Sequence, residues 1–192
     1  MNKKTGLFFG SFNPIHLGHM MIAGYMAGFT DIGQVWFVVS PHNPLKEKQT
    51  LLADHHRLTM VNIAVEDEPR FRASGIEFSM PRPSYTIDTL TYLQERHSDR
   101  EFVVLAGADM LSSLTKWKNY QTLLELYKIY LYPRPGCGAT QFDNHPSIIF
   151  TGAPMVDISS SFIRESIRAG KNVRHFLPEK VWKYIDEMNF YK

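Results

Sequence analysis

Short apolar runs alternate along the chain with longer stretches of helical spacing. Residues 5–9 (TGLFF) end at Gly10 and have the length and character of a buried strand. Between Gly18 and Phe29 the apolar residues Met20, Met21, Ile22, Met26 and Phe29 follow a helical spacing. Residues 34–39 (QVWFVV) are rich in aromatic and β-branched side chains and predict a second strand. After a polar, proline-bearing loop, Asp54 is placed to cap a helix carrying Leu58, Val61, Ile63 and Val65. A third strand is predicted at 71–73, then a loop, PRPSYT, and a helix over 87–96 with Ser84 or Thr86 as its cap. Residues 101–106 (EFVVLA) are the clearest buried strand; Gly107 follows at once, and a helical stretch begins near Asp109. Strands at 128–132 and 147–150 and helices near 160–169 and 178–188 complete the pattern.

Alternating strands and helices predict a parallel sheet with helices on both faces. Right-handed crossovers make that a Rossmann-like, doubly wound α/β fold. The pattern reads as one domain over 1–192 with a small helical part from about 158 to 192; it contains no internal repeat, low-complexity tract or long linker. In such sheets ligands bind beyond the carboxyl ends of the strands. The loops after Gly10, Ser40 and Gly107 are therefore expected to converge.

Composition narrows the partners. At 44% hydrophobic residues, a chain of 192 can bury a substantial core without disulfides or metal. Twenty-one basic against 19 acidic residues give a formal charge of +2, which argues against a nucleic-acid binder. A small anionic ligand needs only a few local cations. The one cysteine, Cys137, cannot form an internal disulfide and suits a reducing compartment. Asn13 and His16 interrupt the opening apolar run too early for a signal peptide, and no run reaches the ~20 residues of a membrane span. A cytoplasmic protein without membrane contact is expected.

Two segments carry chemistry. Residues 10–19 read GSFNPIHLGH and link the first strand to the first helix. Gly10 lets a phosphate approach the backbone, and Gly18 sits at a helix start whose free amides favour an anion. His16 and His19, three apart, can share one side of the first turn and donate to phosphate oxygens. Residues 158–164 read ISSSFIR, a serine-rich helix start with a cation, Arg164, one turn on. Alone, the second segment suits a plain cap with a solvated arginine equally well.

Together they resemble the HxGH and ISSTxIR motifs of the nucleotidyltransferase superfamily, in order and about 140 residues apart. Three further segments, PRPSYTIDTL (81–90), GADMLSSLTKWKNY (107–120) and YPRPG (132–136), resemble the bacterial nicotinate-nucleotide adenylyltransferase family, as does the ending LPEKVWKYIDEMNFY. The resemblance implies transfer of AMP from ATP to nicotinate mononucleotide, with release of pyrophosphate. It implies His16, His19, Lys46 and Arg164 as charge-stabilising catalytic residues. Gly10, Ser11, Phe12, Gly18, Gly107, Ser159 and Ser161 would bind ATP. Thr86, Asp109, Trp117 and Arg134 would bind the mononucleotide, with Thr86 and Trp117 holding the nicotinate ring. Each of these four has a plain structural alternative: a cap for Thr86 or Asp109, a core plug for Trp117, a solvated charge for Arg134. No dense carboxylate cluster predicts a protein-built metal site, so Mg²⁺ is expected to arrive with ATP.

The chain departs from the family pattern in three places. Phe9 stands where many relatives have glycine, and Asn13 where many have aspartate. In SPHNPLK, Lys46 keeps the lysine of the relatives' PPHK, but Leu45 replaces the histidine, with His42 nearby. The rival expectations are an adenylyltransferase for another acceptor, such as nicotinamide mononucleotide or phosphopantetheine, and a silent nucleotide-binding module. The sequence leaves open whether the chain forms a homo-oligomer.

Overall fold

The computed structural model describes residues 4–41 and 51–192. Its strands are β1 (Lys4–Gly10), β2 (Gln34–Val39), β3 (Phe71–Ser74), β4 (Glu101–Gly107), β5 (Ile129–Tyr132) and β6 (Ile148–Phe150). They form one sheet in the order β3-β2-β1-β4-β5-β6, and every pair is parallel. This is the Rossmann order, with the chain reversing direction across the sheet between β1 and β4. β1 is central, pairing Leu7 with both Trp36 and Val104.

The central parts of β1, β2, β4 and β5 are near-continuous apolar runs because both faces are covered there. Phe8, Phe37, Val39, Val103, Leu105 and Tyr130 face one core. That core is closed by α1 (Leu17–Phe29), α2 (Asp54–Val65), α5 (Ser160–Arg168) and α6 (Glu179–Glu187). The alternate residues Leu7, Trp36, Val38, Val104, Ile129 and Leu131 face the other. It is closed by α3 (Thr86–Arg96), α4 (Tyr120–Leu126) and the 3-10 helix Ala108–Lys116. The C-terminal helices thus bury Ile163, Ile167, Val181 and Ile185 in the same core as β1 and α1. Among the described residues no helix is long and apolar enough to cross a membrane.

Local differences from the sequence reading have physical causes. The helical stretch after Gly107 is 3-10 in form, and α4 follows it as a separate short helix. Asp54 is the first residue of α2 and Ala53 its N-cap; the Asp54 carboxylate is drawn away from capping by Arg57 at 2.6 Å and Arg82 at 3.0 Å. Tyr85 occupies the cap position of α3, with Thr86 next, while the Ser84 hydroxyl donates to Glu77 at 3.1 Å.

Glu77 ties the PRPSYT loop to α3. It is 2% exposed and accepts from Thr89 Oγ1 at 2.7 Å as well as from Ser84. Replacing Thr89 by valine keeps the shape and removes one donor from this buried carboxylate. We expect Thr89→Val to lower the unfolding free energy in urea by about 1–3 kcal/mol.

Candidate active site

The loop between β1 and α1 is a tight shelf built on Phe12. This residue has left-handed backbone, φ 44°, uncommon for a large side chain. Its ring is 2% exposed and meets Phe8, Phe37 and His19 edge-on at centroid distances of 5.9, 5.7 and 5.0 Å. Burial of that ring offsets the strain. It also explains Gly10, whose absent Cβ would lie 3.0 Å from the Phe12 ring. Gly10 is needed here for the ring packed beneath it, a different reason from the phosphate approach that the sequence suggests. Gly18 is similar: a Cβ would meet His16 Nδ1 at 3.0 Å and Val156 at 3.1 Å.

His16 is the N-cap residue of α1, and His19 lies in its first turn. Their rings stack at 3.7 Å, 27° from parallel. The His16 amide donates to His19 Nδ1 at 3.2 Å, which assigns the His19 ring proton to Nε2. The reciprocal capping contact from the His19 amide to the His16 ring is also present, and the same amide donates to the His16 carbonyl at 2.9 Å. Beyond that contact, His16 Nδ1 is buried with no full hydrogen bond among the described residues. Burial, with the Arg134 charge second, pushes the His16 imidazole from its ordinary 6.5 down to about 4.

The second motif closes on the first. Ser159 caps α5, its hydroxyl accepting from the Phe162 amide at 3.1 Å. Ser160 Oγ donates to the Pro14 carbonyl at 2.9 Å, and Arg164 Nη1 to the Asn13 carbonyl at 2.8 Å. Arg164 Nη2 also donates to Ser161 Oγ at 3.2 Å. A guanidinium has five N–H donors, so donors remain for a ligand. Burial lowers this guanidinium from its ordinary range.

Between the two motifs lies a cavity of about 330 Å³. Gly10, Ser11, Phe12, His16, Gly18, His19, Arg134, Ser159, Ser161 and Arg164 all line it. Its polar groups are imidazoles, hydroxyls and guanidinium groups, the donor set for an anion. Among the described residues, no three His, Cys, Asp or Glu side chains cluster as a metal site would require.

Four expected residues lie outside this lining. Gly107 ends β4, where a Cβ would sit 2.3 Å from Asp109 Oδ1 and 2.9 Å from Arg134 Cγ. The exposed Asp109 carboxylate is 3.7 Å from Arg134 Nε, so it joins the cavity through Arg134. Thr86 opens α3 and Trp117 packs half-buried against the second core. Their neighbours Asp88 and Lys118 pair at 2.8 Å, and Lys118 lies 4.9 Å above the Tyr85 ring. These contacts tie the segment after Trp117 to the start of α3, which carries Thr86. Lys46, His42 and Leu45 lie outside the described residues.

The sequence reading missed Arg57. Its side chain is fully buried, and it donates to the carbonyls of Ser11 at 2.6 Å, Ser40 at 2.8 Å, Pro41 at 3.1 Å and Leu52 at 3.0 Å. It pairs with Asp54 at 2.6 Å. One arginine therefore fixes the loops after β1 and β2 together. On α2 it follows His55 and His56 and carries no motif, so nothing in the sequence marks it. Ser160 was likewise passed over between its two neighbours, although its bond to Pro14 joins the motifs.

Comparison with known proteins agrees with this geometry. A family model described as cytidylyltransferase-like matches residues 7–166. A probable nicotinate-nucleotide adenylyltransferase of Flavobacterium psychrophilum is 53% identical over 191 residues, covering 98% of this chain and 99% of its own. One from Bacteroides fragilis is 43% identical over 182 residues, covering 95% and 90%. Among solved structures, the Plasmodium falciparum nicotinic acid mononucleotide adenylyltransferase complexed with NaAD shares the fold, with a TM-score of 0.82 at 20% identity over 98% of this chain and 97% of that one. Identity of this degree across nearly the full length means that the chain belongs to the nicotinate-nucleotide adenylyltransferase family, within the cytidylyltransferase-like group.

Proposed function

We propose that this chain transfers AMP from ATP to nicotinate mononucleotide, forming nicotinate adenine dinucleotide and pyrophosphate in the cytoplasm. The observation that carries the reading is the pair of hydrogen bonds from Ser160 and Arg164 to Pro14 and Asn13, which close the two motifs around one donor-lined cavity. The close relatives carry the same activity in their names.

In this reading the 5′-phosphate of the mononucleotide attacks the α-phosphorus of ATP in line. The new P–O bond forms as the bond to pyrophosphate breaks. The attacking phosphate is already ionised, so no general base is needed. His19 Nε2–H and His16 act as hydrogen-bond donors to the charge building on the α-phosphate, and Arg164 with Lys46 balances the departing pyrophosphate. Gly10, Ser11, Phe12 and Gly18 supply the backbone shelf, Ser159 and Ser161 the opposite wall, and Gly107 the room beside Asp109. Mg²⁺ fits this site as a passenger on the triphosphate, whose charge it would neutralise; the lining offers donors to phosphate in place of carboxylates to a cation. Trp117 offers a face for the electron-poor ring, worth ~1 kcal/mol or more when desolvated. Thr86, at a helix start, suits the nicotinate carboxylate. Asp109 and Arg134, already paired, suit the ribose and phosphate.

Pyrophosphate release from ATP with nicotinate mononucleotide, nicotinamide mononucleotide and phosphopantetheine in turn tests the acceptor. We expect the first to be used best, by about tenfold or more in kcat/KM, roughly the discrimination of one well-made polar contact. Preference for phosphopantetheine, or no release with any of them, would overturn the reading. His19→Ala should cut kcat by about 10²–10³ while ATP binding changes little, because the lost donor acts on charge that develops in the transition state. A parallel loss of both would show His19 to be a ground-state contact only.

The neutral state of His16 has its own signature. The unfolded chain takes up a proton here below about 6.5, the folded chain only near 4, so stability from this group is full above 6.5 and lost as pH falls. Between pH 7 and pH 5 the wild-type chain should lose about 2 kcal/mol more unfolding free energy than His16→Gln, measured in urea at each pH.

A further inference from the structure

The end of the chain returns to its first loop. Beyond α6, Asn189 and Tyr191 both take left-handed backbone, with φ 54° and 67°. Neither is glycine, and for a residue as bulky as tyrosine such a conformation persists only where the surroundings impose it. The turn is held by the Asn189 amide on Asp186 O at 3.1 Å and the Phe190 amide on Ile185 O at 3.0 Å. It brings the Tyr191 hydroxyl to Asn13 Oδ1 at 2.8 Å, across 178 positions of sequence.

Asn13 is 1% exposed and lines the cavity. Its side-chain oxygen also accepts from the Leu52 amide at 3.3 Å, and its main-chain oxygen accepts from Arg164 at 2.8 Å. Both lone pairs of Oδ1 are thus used, which also fixes the orientation of the amide group. Burial drives the Tyr191 hydroxyl well above its ordinary range, against the opposing charges of Arg164 and Arg57. It therefore stays protonated and donates. Here a neutral amide meets a neutral phenol.

We propose that Tyr191 is a positioning residue: its hydroxyl, acting through Asn13, latches the β1–α1 loop in the shape that receives the ATP phosphates. The C-terminal tail is then a working part of the nucleotide site, on the substrate reading given above.

Steady-state pyrophosphate release by the full-length wild type, Tyr191→Phe, Asn13→Ala and the double variant tests the latch. Phenylalanine keeps the ring and removes one neutral hydrogen bond, so KM for ATP should rise about two- to tenfold while KM for the mononucleotide stays near its wild-type value. Because Tyr191 acts through Asn13, the double variant should be no worse than Asn13→Ala alone. An unchanged KM for ATP in Tyr191→Phe, or losses that multiply in the double variant, would overturn the latch. Equal rises in both KM values would assign Tyr191 a merely structural role and overturn it as well. Amide hydrogen exchange of residues 11–16 reads the same contact without turnover. Faster exchange there in Tyr191→Phe, with α3 unaffected, is expected; unchanged exchange refutes the latch whatever the substrate. A wild type that releases no pyrophosphate, yet whose loop loosens on the substitution, refutes the substrate reading and supports the latch.

Discussion

On the proposed reading the β1–α1 turn receives phosphate, and such a turn must keep its own carbonyl oxygens away from the anion. In this chain the donors that do so come from distant sequence. Ser11 O is taken by Arg57 at 2.6 Å, Asn13 O by Arg164 at 2.8 Å and Pro14 O by Ser160 at 2.9 Å. Each bond satisfies a main-chain acceptor that would otherwise be buried or face the ligand. Two of the donors are guanidinium groups whose burial is unfavourable. Several charge-assisted bonds per arginine offset that cost. The fold brings α2 and α5 to the points from which those donors reach the loop.

This dependence explains what the sequence disclosed. Strands β2 and β4 were legible to within a residue, because a strand covered on both faces reads as a near-continuous apolar run, here Val35–Val39 and Phe102–Ala106. Helix α4 was not, since its seven residues, YQTLLEL, follow a 3-10 run whose Met110, Leu111 and Leu114 imitate the start of a longer helix. Motif residues were legible because their spacing is local: His16, His19 and Arg164 all line the cavity. Arg57 and Tyr191 were not, since their importance lies wholly in partners that tertiary structure supplies. Gly10 has a packing reason beside the phosphate approach that the sequence suggests. Only the structure shows the Phe12 ring against its α-carbon.

The site also has an internal division. A cavity of about 330 Å³ is near the lower end for a ligand pocket and, on the proposed reading, takes the polyphosphate and leaves little room for two whole nucleotides. The acceptor, on the proposed reading, therefore extends along the carboxyl edge of the sheet towards Thr86 and Trp117. Arg134 stands between the two regions, lining the cavity, paired with Asp109 and lowering the proton affinity of His16. On the proposed reading, a charge so placed faces phosphate from either substrate. Gly107 keeps that junction open, because any side chain there would collide with Asp109 and Arg134.

The paired histidines raise a question of charge. Two cationic rings stacked at 3.7 Å would repel one another, and His16 avoids this by remaining neutral down to about pH 4. A neutral imidazole attracts the ground-state triphosphate less than a cation would. On the proposed reading, that restraint favours turnover. Binding energy expended equally on substrate and transition state does not raise kcat, whereas a fixed donor aimed at charge that appears only during transfer does. His19, whose Nδ1 is held by the His16 amide, has its remaining proton on Nε2 before any ligand arrives. The His16 amide thus fixes the tautomer of one ring, while burial and then the Arg134 charge limit the charge of the other, and both conditions hold at the buried start of α1.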